Sequence, residues 1–269
     1  MRIAHCIDTD GQTHWVEPLP DNRAVVCRGQ NPFDGLRSGD QEIDVARWLA
    51  PVAPPDIYGI GLNYRAHAAE TGARLPDNPV MFMKPSTALQ HPGAAIALPR
   101  ACDHGPEVDY EAELAVIIGR TARNVEVGQA LDHVLGYTCA NDVSARRWQK
   151  HAGGGQWVRG KSFDTFCPLG PVLVSTEEIP DPQALSIGSV LNGRTMQSSN
   201  TADMIFSVAE LIAFISRDTT LLPGTVILTG TPEGVGFARQ PPVFLADGDI
   251  IEITIEGIGT LSNPVLEAQ

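Results

Sequence analysis

The chain has 269 residues, of which 43% are hydrophobic and 19% charged, and its formal net charge is −13. That length buries a substantial core without staples, and that balance excludes a disordered chain. The acidic excess, with no Lys/Arg run, excludes a nucleic-acid partner but leaves small anionic substrates open, because a bound metal reverses the local field.

No apolar stretch approaches the roughly 20 residues of a membrane span, so no membrane partner is expected. The opening Met1–Cys6 lacks the apolar run of a signal peptide. The five cysteines (Cys6, Cys27, Cys102, Cys139 and Cys167) are widely spaced with no C-x-x-C. They read as free thiols in a reducing cytoplasm. Cys102-Asp103-His104 has no second ligand pair at zinc spacing.

Short alternating runs such as Arg2–Ile7 and Arg23–Cys27 predict a small N-terminal β-rich region over 1–52. The Pro-rich stretch 51–55 marks a junction. The larger part, 53–269, shows strand patterns at 56–61, 80–83, 108–118, 135–141, 172–174, 225–229 and 250–255. Helices are expected where Val127, Ala130, Leu131 and Val134, and then Val208, Leu211, Ile212 and Ile215, fall at i, i+3, i+4 and i+7. Ser207 and Glu210 form a capping box for the second. Many strands without regular βαβ alternation predict an α+β, β-rich fold.

Gly59-Ile60-Gly61 ends the first of these strands. Tyr64 stands where a dinucleotide loop needs its third glycine, so that reading fails. Asn63 is a candidate N-cap for a short helix on which His67 and Glu70 are neighbours at i and i+3. A carboxylate beside an imidazole fixes its tautomer and raises its basicity, which suits a general base; a surface ion pair has the same spacing.

In Val108–Ile118, one strand face carries only apolar side chains. The other carries Asp109, Glu111, Glu113, Ala115 and Ile117. Glu111 and Glu113 point the same way, about 7 Å apart at the backbone. They are either the wet edge of an amphipathic strand or two oxygen ligands for a hard cation. Asp142, after Asn141 at the end of an apolar strand, is a third ligand or a helix N-cap. Arg146 and Gln149, three residues apart, would share one face of a helix beginning there.

The run Gly153-Gly154-Gly155 predicts a mobile turn. Lys161 lies beyond it, among aromatic and glycine residues, either snorkelling or holding an anionic oxygen. Thr229-Gly230-Thr231-Pro232-Glu233-Gly234 comes after a strand and allows close backbone approach to a ligand. No G-x-S-x-G elbow occurs, which removes a serine hydrolase.

Taken in order, several motifs resemble the fumarylacetoacetate hydrolase family. They are Gly61-Leu62-Asn63-Tyr64 with His67 and Glu70, Met83-Lys84-Pro85-Ser86, and Asp109-Tyr110-Glu111-Ala112-Glu113-Leu114. They continue with Asn141-Asp142-Val143-Ser144-Ala145-Arg146, Gly160-Lys161-Ser162-Phe163-Asp164 and Thr229-Gly230-Thr231-Pro232. The resemblance covers about 56 to 262.

It implies a mixed β-sandwich roll, a homodimer, a small 2-oxo acid substrate and one divalent cation, Mg2+ or Mn2+. By position it assigns the metal to Glu111, Glu113 and Asp142, and catalysis to His67, Glu70 and Lys161, with the dyad on a ligand-ordered lid. Substrate contacts fall to Arg146, Gln149 and Thr231. The favoured activity is hydrolysis of a C–C bond in an acylpyruvate through a metal-stabilised pyruvate enolate. Oxaloacetate decarboxylation and isomerisation of hydroxymuconate-type diene acids reach related enolates. A non-catalytic binding module would have no need of a positioned base.

Overall fold

The computed structural model describes residues 1–268. Its largest sheet has eleven strands. Edge to edge it runs Thr13–Pro18, Arg23–Val26, Glu42–Leu49, Arg2–Asp8, Cys167–Ser175, Val134–Asn141, Ala112–Ile118, Val226–Leu228, Ile57–Gly61 and Val80–Lys84. Leu89–Gln90 joins Cys167–Ser175 off this path. A five-stranded sheet runs Arg194–Asn200, Ser186–Leu191, Ile250–Ile255, Gly259–Glu267 and Ile96–Leu98.

Most neighbours are antiparallel. Val226–Leu228 lies parallel to Ile57–Gly61, and Gly259–Glu267 parallel to Ile96–Leu98, so the pairing is mixed. The sheets meet where Val134–Asn141 packs on Ile250–Ile255 and Gly259–Glu267. This is the β-rich α+β sandwich that the pattern and the resemblance imply. At the N-terminal end, Arg2 and Ile3 pair with Val174 and Leu173, while Ala4–Ile7 pair with Val16–Thr13, so the first strands extend the main sheet.

Ala112–Ile118 is the keystone of that sheet. Val134–Asn141 borders it on one side and Val226–Leu228 on the other, and every residue in it is buried. The strand expected to be continuous over Val108–Ile118 is therefore corrected, and of the two readings of its acidic face the wet edge is the one that fails. The ladder breaks at Tyr110–Glu111, because Val108–Asp109 pairs separately with Ser144–Ala145. Both faces are also covered by packed elements, so Glu111 and Glu113 stand in the interior.

The helix Val208–Ile215 forms as predicted, with the Ser207–Glu210 capping box satisfying its first amides. The segment Val127–His133 is instead a 3-10 helix, and Val127 is exposed. It carries Gly128, a poor helix former, and its end is set by Val134 entering the sheet, so tertiary pairing overrides the helical periodicity.

Asn63 is not an N-cap either. Tyr64 precedes the helix Arg65–Glu70 without a side-chain cap. The Asn63 amide instead donates to the carbonyls of Phe206 (3.0 Å) and Thr229 (2.7 Å), and its oxygen accepts from the Phe206 amide at 2.9 Å. One buried side chain thus ties together the chain leaving Gly61, the loop after Val226–Leu228 and the approach to Val208–Ile215. Asn63→Ala strips three backbone groups of their partners. It should lower unfolding free energy by roughly 1–3 kcal/mol in urea titrations; a change below about 0.5 kcal/mol would contradict this role.

Candidate active site

The break in the ladder at Tyr110–Glu111 and the end of Val134–Asn141 bring Glu111, Glu113 and Asp142 together. All three are buried, and each offers an oxygen within 4.8 Å of those of the others. Burying three carboxylates is costly unless each is paired. Glu111 and Asp142 are paired. Lys161 Nζ lies 2.6 Å from Glu111 Oε2 and 2.6 Å from Asp142 Oδ2. Lys84 Nζ bonds the other Asp142 oxygen and donates to the Val143 carbonyl at 3.2 Å. Arg146 Nη1 reaches Glu111 Oε1 at 2.7 Å.

Glu113 is different. It accepts a hydrogen bond from the Gly230 amide at 2.7 Å. Burial, then the charges of Asp142 and Glu111, push its carboxyl well above the usual range. Burial also pushes Glu111 up, but Lys161 and Arg146 outweigh it and hold that carboxyl well below the usual range. The protein's own cations thus neutralise two of the three acids and leave the third short of positive charge. A divalent cation among hard oxygen donors fits that deficit, with Glu111, Glu113 and Asp142 to hold it.

Asp109 anchors the next layer. Its carboxylate accepts from Arg146 Nε (2.8 Å) and from the amides of Gly236 (2.8 Å) and Phe237 (3.0 Å). Arg146 is thereby aimed between Asp109 and Glu111, and it also donates to Gln149 Oε1 at 2.9 Å. Gln149 lies in the widened π-helical turn Trp148–Ala152, between Trp148 and Lys150.

His67 sits on the short helix Arg65–Glu70 and is 6% exposed. Its Nδ1 lies 3.2 Å from Glu70 Oε2. The other Glu70 oxygen accepts from the Gly234 amide at 2.9 Å. Gly234 has φ +95, and a Cβ there would lie 2.2 Å from the Met196 carbonyl, so glycine is required where the dyad is anchored. Burial pushes the Glu70 carboxyl up, but the bonds from His67 and Gly234 outweigh it and hold it below the ordinary value. Glu70 therefore stays ionised, and a carboxylate can only accept. In neutral His67 the proton accordingly rests on Nδ1, and Nε2 keeps its lone pair.

These groups share one cavity of about 240 Å³, lined on its polar side by His67, Glu111, Glu113, Arg146, Gln149, Lys161 and Thr231. Ile60, Leu62, Trp157 and Phe237 form apolar walls. Of the residues singled out from sequence, Glu70 and Asp142 stand just behind this wall and the rest line it. Asp142 caps no helix; its side chain is taken up by Lys84 and Lys161. Lys161 does not snorkel, being 2% exposed.

Lys84, Asp109 and Gln197 are among the site residues that the sequence does not single out. Lys84 shares the buried parity of its strand with Phe82, which signals a lysine in need of a counter-ion. Asp109 stands on the acidic strand, where spacing alone gives it no role. Gln197, from the second sheet, donates to Thr231 Oγ1 (2.8 Å) and the Pro232 carbonyl (2.9 Å) and accepts from the Ala112 amide (2.9 Å). It fixes Thr231 against the acidic strand, and no local signal marks it.

Among the described residues, no helix is long and apolar enough to cross a membrane. The family model for the fumarylacetoacetate (FAA) hydrolase C-terminal domain matches residues 56–266. The mitochondrial oxaloacetate tautomerase fahd2 of Xenopus laevis is 48% identical over 219 residues, 81% of this chain and 68% of the relative. The human mitochondrial oxaloacetate tautomerase FAHD2A is 45% identical over 220 residues, 81% of this chain and 69% of its own. Among solved structures, the 5-carboxymethyl-2-hydroxymuconate delta-isomerase from Mycobacterium smegmatis superposes with a TM-score of 0.84 at 40% identity, covering 100% of both chains. With a family model matched over most of its length and relatives at this identity, the chain is an enzyme and belongs to the fumarylacetoacetate hydrolase family.

Proposed function

We propose that this enzyme interconverts the keto and enol forms of a small 2-oxo dicarboxylic acid of the oxaloacetate type. The observation that carries the reading is His67 on the wall of the cavity that Glu111 and Glu113 also line, with Glu70 held against its Nδ1 from behind that wall. The oxaloacetate tautomerases at 45–48% identity support this reaction over the hydrolysis that the motifs alone favour.

The chemistry is one proton moved between carbon and oxygen. Glu70 holds His67 Nδ1–H, so Nε2 takes the proton from C3 of the keto acid. The C–H electron pair forms the C2–C3 double bond, the carbonyl electrons move to the 2-oxo oxygen, and His67 Nε2 gives the proton it took to that oxygen, which yields the enol and restores neutral His67. The reverse sequence returns the keto form. A divalent cation held by Glu111, Glu113 and Asp142 would supply Lewis-acid stabilisation of the negative charge developing on the substrate. Lys161 adds fixed positive charge from the same wall. Arg146, Gln149 and Thr231 orient the substrate, and the apolar walls limit access of water to the enolate.

Hydrolysis of acylpyruvates is the second reading, because the same dyad can activate water for attack on a C4 carbonyl. The two separate by product. Monitored at the enol absorbance, oxaloacetate should equilibrate with a higher kcat/KM than acetylpyruvate is split into pyruvate and acetate. Oxaloacetate interconversion at the background rate, with acetylpyruvate consumed, would reverse the assignment.

His67→Ala should lower kcat by about 10²-fold, the usual loss with a general base, while Mn2+ binding persists. Normal turnover in that variant would remove His67 from the proton transfer.

A further inference from the structure

Arg146, Lys150 and Lys161 are the Lys and Arg side chains lining the cavity. Two are engaged by the protein's own carboxylates: Lys161 by Glu111 and Asp142, Arg146 by Asp109 and Glu111. Lys150 has no salt bridge or side-chain hydrogen bond among the described residues. It stands on the π-helical turn one residue after Gln149, at the mouth of the cavity, with Nζ 3.4 Å from the centroid of the Phe237 ring. The guanidinium of Arg146 lies against the same ring at 4.4 Å, and its buried Nη2 has no hydrogen-bond partner.

This placement is built into the backbone. Phe237 is fixed because its amide and that of Gly236 are held by the Asp109 carboxylate. A Cβ on Gly236 would lie 1.8 Å from the Val243 carbonyl, so the close turn that presents the ring depends on glycine. The ring in turn gives the Lys150 ammonium a cation–π seat at the cavity rim. Burial and the nearby Arg146 charge both disfavour the protonated amine, and Asp109 and Glu111 only partly offset them. An anion arriving from solvent would relieve that repulsion.

We propose that Lys150 is the specificity-determining residue of the cavity, binding the second carboxylate of a dicarboxylic substrate whose oxo acid head lies at the carboxylate triad. The claim rests on the 2-oxo acid reading above and extends it. The triad end recognises the oxo acid head, and Lys150 selects for a charged tail over a neutral one. A lysine suits this task, since a single flexible point charge accepts tails of differing length and angle where a guanidinium fork would fix one geometry.

The test compares oxaloacetate with its 4-methyl ester, which keeps the carbon skeleton and loses the second charge, in the presence of Mg2+. The preference of the wild type for oxaloacetate, as a ratio of kcat/KM values, should fall roughly 10- to 100-fold in Lys150→Gln, chiefly through KM, as for loss of one charge-assisted hydrogen bond. Lys150→Arg should restore part of it. An unchanged ratio in an active, folded Lys150→Gln enzyme overturns the proposal. If the wild type turns over neither compound, the tautomerase reading fails instead. The ratio of the two dissociation constants, measured by calorimetry in wild type and variant, then decides the role of Lys150 by the same criterion.

Discussion

The site depends on a shortage of positive charge in a buried place. Four carboxylates, from Asp109, Glu111, Glu113 and Asp142, lie within the protein beside three basic side chains, Lys84, Arg146 and Lys161. Water cannot screen this group, so each charge must be answered locally. Lys84 and Lys161 share Asp142, while Lys161 and Arg146 share Glu111, and Arg146 also answers Asp109. Glu113 is left with one backbone amide and the repulsion of its neighbours. A fold does not retain such an arrangement for stability, since apolar residues of similar volume would serve better. We propose that its use is to attract a cation and, through it, an oxygen-rich substrate.

The sandwich makes that concentration of charge possible. The keystone strand Ala112–Ile118 is clamped on both edges, which fixes Glu113, while the gap in pairing at Tyr110–Glu111 lets Glu111 face Lys161 and Asp109 face the Gly236 and Phe237 amides, with Arg146 between the two. Asn63 and Gln197 then join the remaining loops to this frame by buried hydrogen bonds, and the Gly234 amide ties the loop after Thr231 to Glu70. Helical content near the site is slight. The six residues Arg65–Glu70 carry the dyad, and a single π-helical turn carries Gln149 and Lys150. Short elements of this kind are held by their contacts and not by their own propensity.

Much of this is legible in the sequence. Period-two alternation locates the central strands, and the Ser207/Glu210 pair locates the start of the last helix, because both signals are local. The spacing of Glu111 and Glu113 suggests a shared target, but alternation alone cannot tell an interior strand from a half-wet one. That distinction comes from distant elements that pack across its faces, such as Ser186–Leu191 and Ile250–Ile255 of the second sheet. The hairpin Ser186–Leu191 and Arg194–Asn200 escapes the pattern because its strands are rich in Ser, Gly, Gln and Asn. Its Asn192-Gly193 turn, with φ of 51 and 79, is nevertheless a readable signal. The 3-10 segment Val127–His133 and the role of Asn63 are not legible, since tertiary contacts override helix periodicity in one and capping preference in the other.

The most direct test of this charge-based account is a count of bound metal. Electron paramagnetic resonance titration of the full chain with Mn2+ should show one site per chain, and Glu113→Gln should abolish it while leaving the circular dichroism spectrum intact. A wild type that binds no Mn2+, or a folded Glu113→Gln variant that binds it as tightly, would contradict the account.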